Sequence, residues 1–165
     1  MKVYTEKDAN PAAVKDAPVA VIGYGSQGRA HALNLHESGC DVIIGRREGS
    51  KTAEKAKADG LKVMTVAEAT KAAKLIAILT PDMSHEAIFD AEIAPNLSDG
   101  DALLVAHGFT VLYGRIKPSD KVDVIMVAPK GPGDLVRREY QRQRGVPALI
   151  AVHQDATGNA HDIAL

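Results

Sequence analysis

The segment Ala20-Val21-Ile22-Gly23-Tyr24-Gly25-Ser26-Gln27-Gly28 joins an apolar run to the pattern Gly-x-Gly-x-x-Gly, and a helix-compatible stretch, 26–38, follows it. This order predicts a strand, a tight turn and a helix. Gly23 would permit the turn, Gly25 would leave room for a pyrophosphate against the main chain, and Gly28 would let the helix pack on the strand. The phosphates would face the positive end of the helix dipole. The segment therefore predicts a dinucleotide-binding site, although glycine-rich turns also serve purely structural purposes.

A second segment indicates which dinucleotide is bound. After the apolar run 41–44, which we interpret as the second strand, the chain continues Gly45-Arg46-Arg47-Glu48-Gly49-Ser50, with Thr52 close behind. A site for NAD usually places a carboxylate at the end of this strand, whereas a site for NADP needs donors and positive charge. Arg47, Ser50 and Thr52 offer a guanidinium fork and two hydroxyls. We therefore predict a preference for NADP, with Glu48 turned to solvent; the alternative is a merely solvated charged loop.

Composition narrows the class of protein. The chain has 165 residues, 45% of them hydrophobic, and its 20 basic and 21 acidic side chains leave a formal net charge of -1. Such a balance provides no global field for nucleic acid or an anionic membrane. The single cysteine, Cys40, excludes an internal disulfide framework and fits a reducing compartment. With a charged N-terminus and no long apolar run, we expect a cytoplasmic protein without membrane or nucleic-acid partners.

Apolar runs of strand length alternate with helical patterns along the chain. The runs are 19–22, 41–44, 75–79, 102–106, 122–128 and 148–152, and the predicted helices between them include 51–59, 66–73, 84–90 and 134–144. Strands without polar alternation are typical of a parallel sheet covered on both faces. We therefore predict an α/β fold: a doubly wound, mostly parallel sheet of the Rossmann dinucleotide-binding type, forming one domain over residues 1–165 whose last helix is cut short.

Ligands of doubly wound sheets bind beyond the carboxyl ends of the strands, so the residues that follow each run are candidates. Asp82 follows the run 75–79 and would cap the next helix beside the cofactor. His107, before Gly108, could donate to a substrate oxygen or carry a proton. Lys130, in a Pro-Lys-Gly-Pro-Gly loop, could stabilise a developing alkoxide. Each also has a plain structural interpretation: a helix cap, a satisfied histidine and a solvent-facing lysine.

Other kinds of site lack their patterns. The six histidines show no metal-ligand spacing, so no metal site is predicted. There is neither a Gly-x-Ser-x-Gly elbow nor a P-loop lysine. The basic stretch 137–144 fits a solvated or partner-facing helix better than a nucleic-acid surface.

Several segments spread over the whole chain form a series that a generic dinucleotide-binding domain would not reproduce. They are Val3-Tyr4 with Asp8, the glycine segment 21–28, Arg47-Glu48-Gly49-Ser50, Glu92-Ile93-Ala94-Pro95-Asn96-Leu97, Ala106-His107-Gly108-Phe109, Met126-Val127-Ala128-Pro129-Lys130-Gly131-Pro132-Gly133, Val136-Arg137-Arg138-Glu139-Tyr140 and Val152-His153-Gln154-Asp155-Ala156-Thr157-Gly158. Together they resemble the N-terminal domain of ketol-acid reductoisomerase, the acetohydroxy-acid isomeroreductase of branched-chain amino-acid biosynthesis.

The resemblance implies an activity. The family converts 2-acetolactate or 2-aceto-2-hydroxybutyrate by a magnesium-assisted alkyl migration and then reduces the product with NADPH to a 2,3-dihydroxy acid. It also implies roles for matching residues. The implied diphosphate contacts are Tyr24, Gly25, Ser26 and Gln27; the implied 2′-phosphate contacts are Arg47, Ser50 and Thr52; the rest of the cofactor would be lined by Asp82, Met83, Ser84, His85 and Gly133. His107 would be the active-site histidine, and Lys130 would lie near the substrate.

The resemblance covers only part of the family's machinery. In the family the two Mg²⁺ ions bind carboxylates of a following helical, knotted domain that also forms the oligomer. We therefore expect this chain to bind NADPH without turning over acetolactate alone. Two alternatives stay open: a non-catalytic NADP-sensing module, and an NADP-linked reductase of similar topology that needs no metal.

Overall fold

A computed structural model describes residues 2–47 and 49–165 of the chain. Seven strands form one sheet in the order β3-β2-β1-β4-β5-β6-β7. The strands are β1 (Val19–Ile22), β2 (Val42–Gly45), β3 (Lys62–Met64), β4 (Leu75–Ile78), β5 (Ala102–Val105), β6 (Asp123–Pro129) and β7 (Ala148–Gln154). All neighbouring strands pair in parallel except β6 and β7, which are antiparallel. The predicted doubly wound, mostly parallel α/β fold is confirmed.

The helices lie between the strands in sequence, except the last helix, which follows β7. They are α1 (Ser26–Glu37), α2 (Lys51–Ala58), α3 (Val66–Ala72), α4 (His85–Ile88), α5 (Phe109–Leu112), α6 (Gly133–Gln141) and α7 (Ala160–Ala164). A π-helical turn, Phe89–Ile93, continues α4, and a 3₁₀ turn, Pro11–Val14, precedes the sheet. In the part of the chain that the structure describes, no helix combines the length and apolar character needed to cross a membrane.

The central strands are buried on both faces. Val19 and Val21 of β1 belong to one apolar cluster, and Ala20 and Ile22 belong to a second cluster. Successive side chains of a strand point to opposite faces, so the two clusters are the two layers that cover the sheet. This double burial explains why β1, β2, β4 and β5 are continuous apolar runs in the sequence.

Some boundaries differ from the sequence predictions. The sequence analysis missed β3 and α5, because three and four residues carry too little periodicity to be recognised. The helix predicted over 84–90 starts instead at His85 and passes into the π-helical turn. Helix α6 ends at Gln141 and not at the predicted residue 144. Gln143 has a φ of 57°, which is incompatible with a right-handed helix.

The strand order reverses beside β1. The chain passes from β1 to β2 on one side, and β4 pairs with the other side. Ligands of such sheets bind in the crevice that this reversal opens at the carboxyl ends of the strands. The turn after β1 and the loops after β2, β4, β5 and β6 all meet this edge, so the fold places the candidate residues along one side of the sheet.

Candidate functional site

The glycine turn after β1 has the steric properties that the sequence predicts. Gly23 has a φ of +106°, and a Cβ there would lie 2.9 Å from the carbonyl oxygen of Leu79. A Cβ on Gly28 would lie 2.6 Å from the carbonyl oxygen of Gly23. Helix α1 can therefore pack this close to the turn only because residue 28 has no side chain. A Cβ on Gly25, in contrast, would meet nothing within 4 Å. Gly25 is therefore open towards the space that a phosphate would use.

Two helices begin side by side at this turn. A Cβ on Gly133, the first residue of α6, would overlap the main-chain carbonyl of Ser26, the first residue of α1. Gln27 strengthens the junction, because its Nε2 donates to the carbonyl oxygen of Gly131 at 2.9 Å. The positive ends of two helix dipoles thus meet beside Gly25, an arrangement that favours an anion.

Tyr24 does not present its side chain to this space. The ring is buried, and its hydroxyl donates to Asp59 at 2.8 Å, while Arg29 binds the same carboxylate with two hydrogen bonds of 2.8 and 2.9 Å. Desolvation, together with Asp59, raises the pKa of Tyr24. The hydrogen bonds from Arg29 are the largest cause that lowers the pKa of Asp59 to about 2. Any role of Tyr24 in holding a diphosphate must therefore come from its main chain.

The loop after β2 carries the predicted phosphate-binding residues. Ser50 caps helix α2, since its Oγ accepts a 3.2 Å hydrogen bond from the Ala53 amide, and it lies 3.4 Å from Thr52 Oγ1. The cap uses an oxygen lone pair, so the hydroxyl hydrogen stays available for a ligand. Arg47 is exposed and Arg46 is half-buried. Glu48, which we predicted to face solvent, lies outside the described residues.

A cleft of about 450 Å³ opens between this loop and the loop after β4. Its walls include the apolar side chains of Ile22, Val66 and Ile88, and both arginines line it. Apolar walls with a few polar groups are typical of sites that hold a ring system. The cleft has the dimensions and chemistry for the adenosine part of a dinucleotide.

The loop after β4 corrects one prediction. Asp82 does not cap a helix: it starts a 3₁₀ turn with no side-chain cap hydrogen bond, and α4 begins three residues later. Ser84 instead donates through Oγ to the carbonyl oxygen of Pro81 at 2.7 Å. Met83 is 81% exposed.

His85 was predicted to line the cofactor, yet its ring is buried and both nitrogens have partners. Nε2 lies 2.9 Å from the carbonyl oxygen of Thr80, which can only accept, so Nε2 carries the hydrogen. Nδ1 lies 3.1 Å from Thr110 Oγ1. The histidine thus fastens the end of β4 to the segment after β5, which is a structural role.

His107 and Lys130 lie at the same edge, beyond the neighbouring strands β5 and β6. Strand β5 ends at Val105, which pairs with Met126, whereas β6 continues for three more residues to Pro129, so Lys130 follows a longer strand than His107 does. His107 is exposed, and its Nδ1 accepts a 3.2 Å hydrogen bond from the amide of Phe109. Nδ1 is therefore unprotonated in this arrangement and Nε2 carries the hydrogen. The Lys130 side chain is also exposed, while its amide donates to Pro147 at 2.8 Å.

Sequence reasoning missed the partners that hold this edge together. Asp59 lies 30 and 35 residues from Arg29 and Tyr24, and no local pattern connects them. Gly131 accepts from Gln27 across 104 residues. Within residues 2–47 and 49–165, no three His, Cys, Asp or Glu side chains converge as metal ligands would.

Comparisons with known proteins agree with this geometry. Residues 13–165 match the family described as acetohydroxy acid isomeroreductase, NADPH-binding domain. The structure of an NADH-preferring ketol-acid reductoisomerase from an uncultured archean is 41% identical in sequence, with a TM-score of 0.95 over 100% of this chain and 51% of that one. The present chain thus spans about half the length of this relative.

More distant structures share the fold alone. A semialdehyde dehydrogenase NAD-binding protein from Cupriavidus necator, in complex with calcium and NAD, is 20% identical with a TM-score of 0.70 over 90% of this chain and 58% of that one. A 3-hydroxyisobutyrate dehydrogenase from Salmonella typhimurium is 13% identical with a TM-score of 0.63, over 90% and 53%. From the family match and the archaeal relative, the chain belongs to the ketol-acid reductoisomerases, also called acetohydroxy acid isomeroreductases, and corresponds to their N-terminal nicotinamide-dinucleotide-binding domain.

Proposed function

We propose that this chain binds NADPH in preference to NADH and supplies the reducing half of a ketol-acid reductoisomerase in branched-chain amino-acid biosynthesis. The substrate would be a 2-acetohydroxy acid and the product a 2,3-dihydroxy acid. The observation that carries the proposal is the open space over Gly25, which faces the first residues of two helices while its neighbours Gly23 and Gly28 are packed against main chain.

The residues present fit a dinucleotide. The main chain of 24–27 and the start of α6 at Gly133 would hold the diphosphate at the helix N-termini. The adenosine would enter the apolar cleft, and Asp82, Met83 and Ser84 would border the cofactor beyond it. The nicotinamide would reach the ends of β4 and β5, where it supplies the hydride for the reduction. His85 lines a pocket together with Asp82 and His107, and since both of its ring nitrogens have protein partners, it would border the cofactor mainly by holding that loop in place.

The preference for NADPH rests on the loop after β2. Arg47 is exposed, its carbonyl oxygen accepts from the Ser50 amide at 3.4 Å, and the Ser50 and Thr52 hydroxyls lie 3.4 Å apart. A 2′-phosphate at this loop would receive a charge-assisted fork from Arg47 and hydrogen bonds from the two hydroxyls. The archaeal relative prefers NADH, so the fold is compatible with either cofactor. The choice between NADPH and NADH must therefore depend on the side chains of this loop.

His107 and Lys130 would act on the substrate. The Nε2–H of His107 faces away from the main-chain bond at Nδ1, so it is free to donate to a substrate oxygen and to take the proton back. The ammonium group of Lys130 would stabilise the alkoxide that develops during reduction. The Mg²⁺ ions of the family reaction need ligands from outside the described residues, so we expect no turnover by this chain alone. We further propose that the complete enzyme is a cytoplasmic homo-oligomer assembled through a helical domain.

Calorimetry with NADPH and NADH tests the cofactor preference. Replacing Arg47 and Ser50 together by aspartate should weaken NADPH at least about 100-fold, because two charge-assisted contacts become repulsive, and should change NADH much less. Lys71→Asp, an exposed charge reversal on α3, is the matched control and should leave both affinities unchanged. Equal losses for the two nucleotides would contradict the assigned phosphate site.

Turnover tests the catalytic assignment. In a chain completed with the helical domain, His107→Ala and Lys130→Ala should each lower kcat with acetolactate while NADPH still binds. Unchanged turnover in both variants would favour a cofactor-sensing module. Oxidation of NADPH by the 165-residue chain alone, with acetolactate and Mg²⁺, would contradict the expectation that this chain is inactive without the helical domain.

A further inference from the structure

Arg46 occupies an unusual position within the adenosine cleft. The arginine lines the cleft and is half-buried, and its main-chain amide is fixed by a 3.0 Å hydrogen bond to the carbonyl oxygen of Met64 in β3. Its Nε is shielded from water and has no hydrogen-bond partner in the part of the chain that the structure describes. Buried donors without acceptors destabilise a folded protein, so this one is expected to find its acceptor in a ligand.

The electrostatic surroundings of Arg46 support the same conclusion. Desolvation by burial, with a smaller contribution from the positive charge of Arg47, lowers the pKa of its guanidinium. No carboxylate among the described residues lies within ion-pair distance of it. A flat, weakly hydrated cation of this kind can lie beside a heteroaromatic ring and donate to its nitrogens.

Glu92 brings an acceptor to the same cleft. It belongs to the π-helical turn Phe89–Ile93, lines the cleft together with Arg46, and is half-buried. A carboxylate here cannot help a 2′-phosphate, since two anions repel each other. It can accept a hydrogen bond from an exocyclic amine.

We propose that Arg46 and Glu92 recognise the adenine base: the guanidinium of Arg46 lies at the edge of the ring and donates to a ring nitrogen, and the carboxylate of Glu92 accepts from the exocyclic amine. The apolar side chains of Ile22, Val66 and Ile88 enclose the ring between them. This inference rests on the proposed dinucleotide function and goes beyond it, because it separates two arginines that are adjacent in sequence. Arg46 reads the base, which NADPH and NADH share, whereas Arg47 reads the phosphate, which only NADPH has.

The Glu92 contact is tested with an altered nucleotide. Deamino-NADPH carries hypoxanthine, so the amine is replaced by a carbonyl oxygen while all phosphates remain. The wild-type chain should bind NADPH about 10-fold or more tighter than deamino-NADPH, since a hydrogen bond to a charged group is exchanged for repulsion. Glu92→Ala should reduce this ratio to below about 3-fold. General effects of the lost charge on the phosphates cancel in the ratio, because both nucleotides carry the same phosphates.

Asp90→Ala is the matched control, because Asp90 is exposed on the same turn and does not line the cleft. It should leave the ratio at the wild-type value. A wild-type chain that binds both nucleotides equally, or a Glu92→Ala variant that keeps the full ratio, would overturn the role of Glu92. Far-ultraviolet circular dichroism of each variant shows whether the fold is retained.

The Arg46 contact is tested by comparing it with Arg47. Arg46→Gln should weaken NADPH and NADH by similar factors, about 10-fold each, whereas Arg47→Gln should weaken NADPH selectively. A loss confined to NADPH in Arg46→Gln would overturn the base contact and assign Arg46 to the phosphate. Tight NADPH binding by the wild type with no effect of either Arg46 or Glu92 would refute this inference alone, and absence of NADPH binding by the wild type would refute the proposed function itself.

Discussion

We predict that Gly25→Ala weakens NADPH binding while leaving the free energy of unfolding nearly unchanged. Gly25 has a φ of -81° and a ψ of -160°, which alanine also adopts, and its Cβ would meet nothing within 4 Å. Gly→Ala at such a site stabilises by about 0.4–1 kcal/mol through the unfolded chain, and the poorer helix cap offsets part of this. We therefore expect the free energy of unfolding of Gly25→Ala to stay within about 0.5 kcal/mol of the wild type.

NADPH affinity should respond very differently. The new methyl group would stand in the space where the phosphate approaches the amides, and a displacement of that phosphate weakens charge-assisted hydrogen bonds worth about 1.5–3 kcal/mol each. The loss of one such bond corresponds to a rise in Kd of about 10- to 100-fold. Calorimetry measures the Kd, and urea unfolding followed by circular dichroism measures the stability.

Two other glycines serve as controls. Gly145→Ala adds a methyl group that also meets nothing within 4 Å, but away from the site, so the Kd should not change and the free energy of unfolding should rise by about 0.4–1 kcal/mol. Gly133→Ala places its Cβ against the carbonyl of Ser26 and should destabilise the chain by about 1–3 kcal/mol, as overpacking does. An unchanged Kd for NADPH in Gly25→Ala would refute the placement of the diphosphate.

Further predictions concern stability. The pKa of Asp59 is lowered to about 2 from 3.8, so its contribution is complete above about pH 5 and is lost as the pH falls from about 4 towards 2. The stability difference between wild type and Asp59→Asn, measured by urea unfolding, should therefore shrink over that range; a constant difference would contradict the ion pair. Asp123 is fully buried and accepts from the amides of Ala156 and Thr157 and from the Thr157 hydroxyl. Asp123→Ala should cost about 3 kcal/mol in the same assay, and a loss below about 1 kcal/mol would contradict this account. Thr65→Ala removes a capping box with Glu68 and should cost about 1 kcal/mol, with a shift of the thermal midpoint as the readout; an unchanged midpoint would show that the box adds no stability.

Local sequence patterns were sufficient for the main elements. The apolar run before Gly23 predicted β1, and Thr65 with Glu68 predicted the start of α3, because caps, turns and double burial act on neighbouring residues. The shortest elements escaped prediction, because β3 and α5 are held by their neighbours and not by their own periodicity.

Features of the candidate site also fall into those that the sequence predicted and those that only the structure revealed. The sequence by itself determined which segments follow the strands: the glycine turn, the basic loop after β2, His107 and Lys130. It also determined that they share one edge, since a parallel sheet brings the carboxyl ends of its strands together. Only the tertiary structure decided which side chains face that edge. Tyr24 turns inward to Asp59, His85 is buried between Thr80 and Thr110, and Arg46 lines the cleft between the loops after β2 and β4. Side-chain direction at a loop depends on partners far away in sequence, and those partners come together only when the chain has folded.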